Sequence, residues 1–188
     1  MSHDFHKSLA LSHKYSDAPW WMAVYKLAFP NLLKAVDIRD DGWAQRGGID
    51  RQLILKSGKV ISIDEKVRLK DWGDILLERW SDQRQKTPGW VQKDLACDYI
   101  AYAFVPSQRC YMLPFQQLRK AWLTNGRKWI MKASQKADGF KTVLADNDKY
   151  VTESIAVPTG ILMKSIQDAM IIEWGMGLAS ETYDKKLG

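Results

Sequence analysis

Hydrophobic positions recur at three- and four-residue spacing over residues 18–36. Trp20, Trp21, Val24, Leu27 and Ala28 fall on one face, which predicts an amphipathic helix. Ala18-Pro19 stands near its start, and Pro30 ends or kinks it. Residues 37–48 are polar and contain glycine, and predict a loop. The period then changes to two. Residues 49–55 and 59–68 alternate about Ser57-Gly58, the pattern of a tight β-hairpin. The apolar run 74–80 suits a strand or a helix, and its shortness and Gly73 favour a strand. Residues 83–89 read as a turn-rich loop. The run 98–105 (DYIAYAFV) is strongly β-prone, and 109–113 forms a shorter strand after Pro106-Ser107-Gln108. Helical spacing returns over 115–133 through Leu118, Ala121, Trp122, Trp129 and Ile130, with Asn125-Gly126 a point of interruption. Residues 150–157 read as a last strand, and Pro158 opens a final helix through Leu162, Ile166 and Met170, within a C-terminal strand and helix spanning about 150–174. The order of helix, strands, helix, strand and helix predicts an α/β fold, with a central mixed β-sheet flanked by helices. No repeat, low-complexity tract or Pro/Gly/Ser-rich linker divides the 188 residues, so a single domain is expected.

Composition narrows the class. With 46% hydrophobic and 27% charged residues the chain has a globular balance rather than a disordered one. No run of about 18 apolar residues occurs, and residues 1–16 lack the pattern of a signal peptide, so no membrane span and a cytoplasmic location are expected. Cys97 and Cys110 each lie in an apolar stretch read as strand, and are expected as buried free thiols. His3, His6 and His13 are confined to the first 13 residues, which argues against Ser/His or Cys/His catalysis and against a Cys/His zinc site. Neither a Gly-rich phosphate loop nor a Gly-x-Ser-x-Gly elbow is present. A net charge of +6 favours an anionic partner.

The informative segment is Gly48-Ile49-Asp50, followed after 13 residues by Asp64-Glu65-Lys66. Residues two apart on a strand share a face, so Asp64 and Lys66 project together with Ser62 and Arg68, while Ile61, Ile63 and Val67 face apolar packing. Glu65 shares that apolar side, with no partner evident. If the hairpin pairs about Ser57-Gly58, Asp50 comes beside the polar face, and two carboxylates and an ammonium converge. Two carboxylates can hold a hard divalent cation whose shell is completed by waters and a substrate phosphate. A lysine beside them can orient water or offset charge developing on phosphorus.

The stretch GIDRQLILKSGKVISIDEKVR resembles the core hairpin of the PD-(D/E)XK nuclease-like superfamily, and is similar to its Holliday-junction resolvases and restriction-endonuclease-like enzymes. In that pattern an Asp opens one strand and an acidic-x-Lys triplet lies on the next. By position these are Asp50, Asp64 and Lys66. The segments DYIAYAF and CYMLPFQQLRKAW are similar to the later strands and helix, so the resemblance covers about residues 45–123. Ile49 stands where the name-giving proline would be. The resemblance implies a restriction-endonuclease-like fold and a metal-dependent (deoxyribo)nuclease. It further implies Mg²⁺ or Mn²⁺ held by Asp50 and Asp64, Lys66 positioning the attacking water, DNA as partner, and a possible homodimer.

Folds of this kind often recruit a further acid or amide. Glu78 is the first candidate, Gln45 the second and Asp17 a weaker third. Trp20, Trp21, Trp122 and Trp129 lie on apolar helical faces and are expected in the core. Trp72, Trp80 and Trp90 stand among Arg68, Lys70, Arg79, Arg84, Lys86 and Lys93, a mixture that suits either a nucleic-acid groove or loop anchoring. Arg119, Lys120, Arg127, Lys128, Lys132 and Lys136 form a basic run on a helical segment, either a solvated face or a phosphate-contacting one. Two non-enzymatic alternatives stay open: a nuclease-like module that binds nucleic acid without cutting it, and a protein-interaction module.

Overall fold

The computed structural model describes residues 15, 17–42, 44 and 47–175. They form an α/β chain with two sheets and few helices, gathered into two compact units. The chain passes between them repeatedly: among the described residues one unit takes 72–95 and 114–168, the other those within 15–71, 96–113 and 169–175. Among the described residues no helix is long and apolar enough to cross a membrane.

The unit that begins at residue 15 is built on a six-stranded sheet. Its helix α1 (Trp20–Ala28) buries Trp21, Val24 and Tyr25, three positions on one helical face. They pack on Leu53, Ile61, Ile63, Ala101, Ala103, Cys110 and Met112. The last helical bond runs from Phe29 N–H to Tyr25 O at 2.8 Å, and Pro30 has no N–H with which to continue. The expected helix over 18–36 is therefore corrected. Its second half is a strand, β1 (Leu32–Asp37), paired antiparallel to β2 (Arg51–Leu55) from Leu32↔Leu55 to Asp37↔Arg51. Strand pairing outweighs a local pattern that a helix would also tolerate.

The hairpin of β2 and β3 (Val60–Arg68) forms as its alternation predicts, with Arg51 opposite Ile63 and Leu53 opposite Ile61. Gly58 carries the turn at φ +84°, a conformation in which a side chain would be strained. Next to β3 runs β6 (Tyr99–Phe104), and this pairing is parallel, from Ile63↔Tyr99 to Arg68↔Phe104. β7 (Arg109–Pro114) and β10 (Met170–Glu173) complete the order β1-β2-β3-β6-β7-β10. The expected final helix through Met170 is likewise corrected: Met170 and Ile172 lie on an edge strand antiparallel to β7. Trp174 follows, 3% exposed and stacked on Trp20 at 4.5 Å.

The other unit holds an antiparallel sheet of order β5-β4-β9-β8, made of β4 (Asp74–Asp82), β5 (Thr87–Pro88), β8 (Lys141–Asp146) and β9 (Val151–Pro158). Two sheets thus replace the single central one expected. Helix α2 (Phe115–Ser134) runs unbroken through Asn125-Gly126 and buries Leu118, Ala121, Trp122, Trp129 and Ala133. A short helix, α3 (Thr159–Lys164), follows β9. Gly89 is buried here, its N–H bonded to Arg79 O at 2.8 Å, and a Cβ on it would overlap the Glu78 carbonyl. Gly89→Ala should therefore destabilise the protein by about 1–3 kcal/mol through overpacking. A chemical denaturation curve that matches the wild type would contradict this.

Candidate functional site

The hairpin register brings the three expected residues together. Asp50 precedes β2, and its N–H donates to Ile63 O at 2.8 Å, which extends the pairing by one residue. Its Oδ2 accepts the Glu65 N–H at 2.7 Å, so the carboxylate is pinned against β3 beside Asp64. Asp64 is only 3% exposed, and Lys66 Nζ lies 2.5 Å from its Oδ1. Asp64 and Lys66 share a face because they are two apart on one strand. Burial pushes the Asp64 carboxyl up to about 6; the Lys66 ammonium opposes this, and the Asp50 carboxylate reinforces it. The site thus holds two crowded acids with one ammonium between a proton and a cation as ways of relieving them.

Donor chemistry tests the fit of a divalent cation. Asp50 is engaged by the Glu65 N–H and Asp64 by Lys66, and the two carboxyl groups also interact with each other, so the pair offers two acids at one place. Among the described residues no group of three or more His, Cys, Asp or Glu side chains is placed to hold a metal. That set is too small for an all-protein cage. It suits Mg²⁺ or Mn²⁺, whose shell keeps several waters and takes one or two carboxylates together with substrate phosphate.

The opposite face of β3 settles Glu65. Its Oε1 accepts from Arg51 Nε at 2.5 Å and from the Tyr25 hydroxyl, deep in the apolar core beneath α1. Burial raises the Glu65 carboxyl in spite of Arg51. Its Oε2 is buried without a hydrogen-bond partner. Glu65 is therefore a structural acid. Its partner was open to sequence reasoning, since Arg51 lies diagonal to Glu65 on the same face once Arg51 opposes Ile63.

The remaining expected residues are dispersed. Glu78 lies on β4 in the other compact unit, where its Oε1 accepts the Trp90 N–H at 3.3 Å. Gln45 falls outside the described residues. Asp17 forms a surface ion pair with Arg39 at 2.9 Å. Arg68 stays on the site's face of β3 and donates to the Tyr102 hydroxyl at 3.0 Å, while Lys70 is exposed just past the strand. Arg79 pairs with Glu153 at 3.0 Å and lies over the Trp80 ring, and Arg84 is exposed, its N–H bonded to Asp82 at 2.9 Å. Trp21, Trp122 and Trp129 are core, as expected, and Trp72 is 61% exposed.

Parallel pairing of β6 with β3 adds neighbours that no local pattern announces. Asp98 bonds both ways with Ser62: its N–H donates to Ser62 O at 2.8 Å, and its Oδ2 accepts the Ser62 N–H at 2.7 Å. Cys97, one residue earlier, precedes the strand rather than lying in it and is buried beside the acids. Burial, then the Asp64 charge, pushes its thiol up to about 12, so it stays protonated and is a poor nucleophile. Both cysteines are free and buried, as expected. Compared with known proteins, the chain matches no family model, no curated protein and no solved structure.

Proposed function

We propose that the chain is a Mg²⁺- or Mn²⁺-dependent nuclease of PD-(D/E)XK type that hydrolyses phosphodiester bonds in DNA. The observation that carries this reading is the convergence of Asp50, Asp64 and Lys66 on one face of a β-hairpin. An α/β chain with a mixed sheet that carries this hairpin is compatible with the class of fold the resemblance implies. Asp50 and Asp64 would hold the metal, with Asp50 oriented by the Glu65 N–H. When bound, the metal would supply Lewis acidity and a water of lowered pKa. Lys66 would position the attacking water and offset charge developing on the phosphate oxygens. The buried setting of Asp64 strengthens each of these charge interactions.

Pure protein incubated with supercoiled, linear and single-stranded DNA should cut in Mg²⁺ or Mn²⁺ and not in EDTA. Lys66→Ala should slow cutting by about 10²–10³-fold, the cost of losing one preorganised donor at a charge-developing site. A second reading, a nuclease-like module that binds without cutting, draws on the small acid count and on the direct Lys66–Asp64 contact. Folded wild-type protein that cuts none of the substrates with either metal would replace the nuclease reading with that one.

A further inference from the structure

The site's face of β3 continues two residues past Lys66, to Arg68. Ammonium and guanidinium therefore leave the strand on one side, their backbones about 6–7 Å apart. Parallel pairing sets Tyr102 beside Lys66 and Phe104 beside Arg68. The Tyr102 side chain is buried, 3% exposed, and its ring lies 5.4 Å from that of Phe104, so its hydroxyl is a fixed point on this face. That hydroxyl accepts from Arg68 Nη1 at 3.0 Å.

The kind of anchor distinguishes this arginine. Arg39 meets Asp37, Arg51 meets Glu65, Arg79 meets Glu153, Arg109 meets Glu173 and Arg119 meets Asp94. In each of these pairs a carboxylate offsets the charge of the guanidinium. Arg68 is half-buried, and the group that holds it is a hydroxyl, which orients the planar fork and leaves its charge in place. The geometry of such a fork matches the oxygens of a phosphate. A side chain already held in position also gives up less freedom when it binds one.

We infer that Arg68, oriented by Tyr102, binds a backbone phosphate of the substrate, next to the phosphate at the acidic pair. This rests on the nuclease reading for which phosphate is met, though not for the anionic ligand itself. Lys66, in contact with Asp64, belongs to the reacting phosphate, and Arg68 belongs to its neighbour one step along the strand. The spacing of the two positions on β3 is close to that of successive phosphates in a nucleic-acid strand. Tyr102 acts through Arg68 and is a positioning residue.

The test is a fluorescence-anisotropy titration of a labelled duplex oligonucleotide in EDTA across a salt series. Arg68→Gln keeps the reach to Tyr102 and removes the charge. It should weaken binding about tenfold or more at low salt, the loss of a hydrogen bond between charged groups. It should also flatten the slope of log affinity against log salt by about one, which is one phosphate contact fewer. Tyr102→Phe keeps the buried ring and should weaken binding with the slope unchanged. Added to Arg68→Gln, the same substitution should cost nothing further, whereas a general effect on the fold would appear in both backgrounds. Wild-type protein that binds no DNA, an Arg68→Gln protein with wild-type affinity and slope, or a Tyr102→Phe loss of equal size in both backgrounds would overturn the inference. Cutting in Mg²⁺ separates the two readings. Cutting by the wild type together with a slope that Arg68→Gln leaves intact would remove the phosphate contact and keep the nuclease. A flattened slope with no cutting by the wild type would remove the nuclease and keep the contact.

Discussion

Asp64→Asn should lower metal-dependent cutting at least about 100-fold and, at the same time, make the metal-free protein more stable at neutral pH. The first effect follows from the proposed role, since groups that merely support a metal ligand already cost 10–100-fold. The second follows from burial. Asp64 is 3% exposed and its carboxyl is raised to about 6, so the folded protein holds this proton more tightly than the unfolded chain, whose aspartates titrate at about 3.9. Its contribution to stability is fully present below about pH 3.9 and is lost as pH rises through about 6. Above that pH the ionised Asp64 costs up to roughly 3 kcal/mol, partly offset in the measured difference by the lost contact with Lys66. Denaturant curves in EDTA from pH 4.5 to 8 should therefore show an asparagine advantage that grows with pH. An advantage that stays flat across this range would contradict the burial argument.

Arg51→Ala should be the most destabilising substitution on the hairpin, costing about 3–5 kcal/mol. The Glu65 carboxylate would remain in the core with only the Tyr25 hydroxyl to bond it, and a buried charge without its counter-charge is far more costly than the intact pair is favourable. Because burial already raises Glu65, losing Arg51 raises it further, and the deficit should shrink as pH falls and Glu65 takes up a proton. The double substitution Arg51→Met with Glu65→Leu should recover most of the stability, since it removes both charges at similar volume. Equilibrium unfolding of the single and double variants decides the matter. A double variant no more stable than Arg51→Ala would show that packing rather than charge sets the cost. Neither substitution alters Asp64 or Lys66, which occupy the other face.

The acidic site was legible because it is local. A Ser-Gly turn fixes the hairpin register as far as Arg51 opposite Ile63, and Asp50, one residue earlier, accepts the Glu65 N–H beside Asp64. Strand β6 and helix α2 were legible for the same reason: a β-rich apolar run and a sustained 3.6-residue period each carry their own signal. The misread elements depend on distant partners. Leu32–Asp37 and Met170–Glu173 are short apolar segments that would sit acceptably on a helix, and become strands only because β2 and β7 offer open edges. Lys141–Asp146 drew no strand reading; it is an edge strand with little buried surface. Division into two sheets was hidden because the chain crosses between the units through short segments, which need no linker composition. Cys97 and Asp98 join the site through parallel pairing, a relation between residues 62–64 and 97–100 that leaves no mark on either stretch alone.

The late arrival of β10 bears on how the protein is made. The outer edge of β7 stays open until Met170–Glu173 has left the ribosome and pairs Met170 with Met112. Until then the nascent chain would carry an unpaired edge flanked by Cys110, Met112 and the unfilled place of Trp174. Open apolar edges are where growing chains aggregate. Such a sheet should depend on chaperone capacity during expression, and refolding of the finished chain should be slowed by the long loop that must close before this last strand can dock.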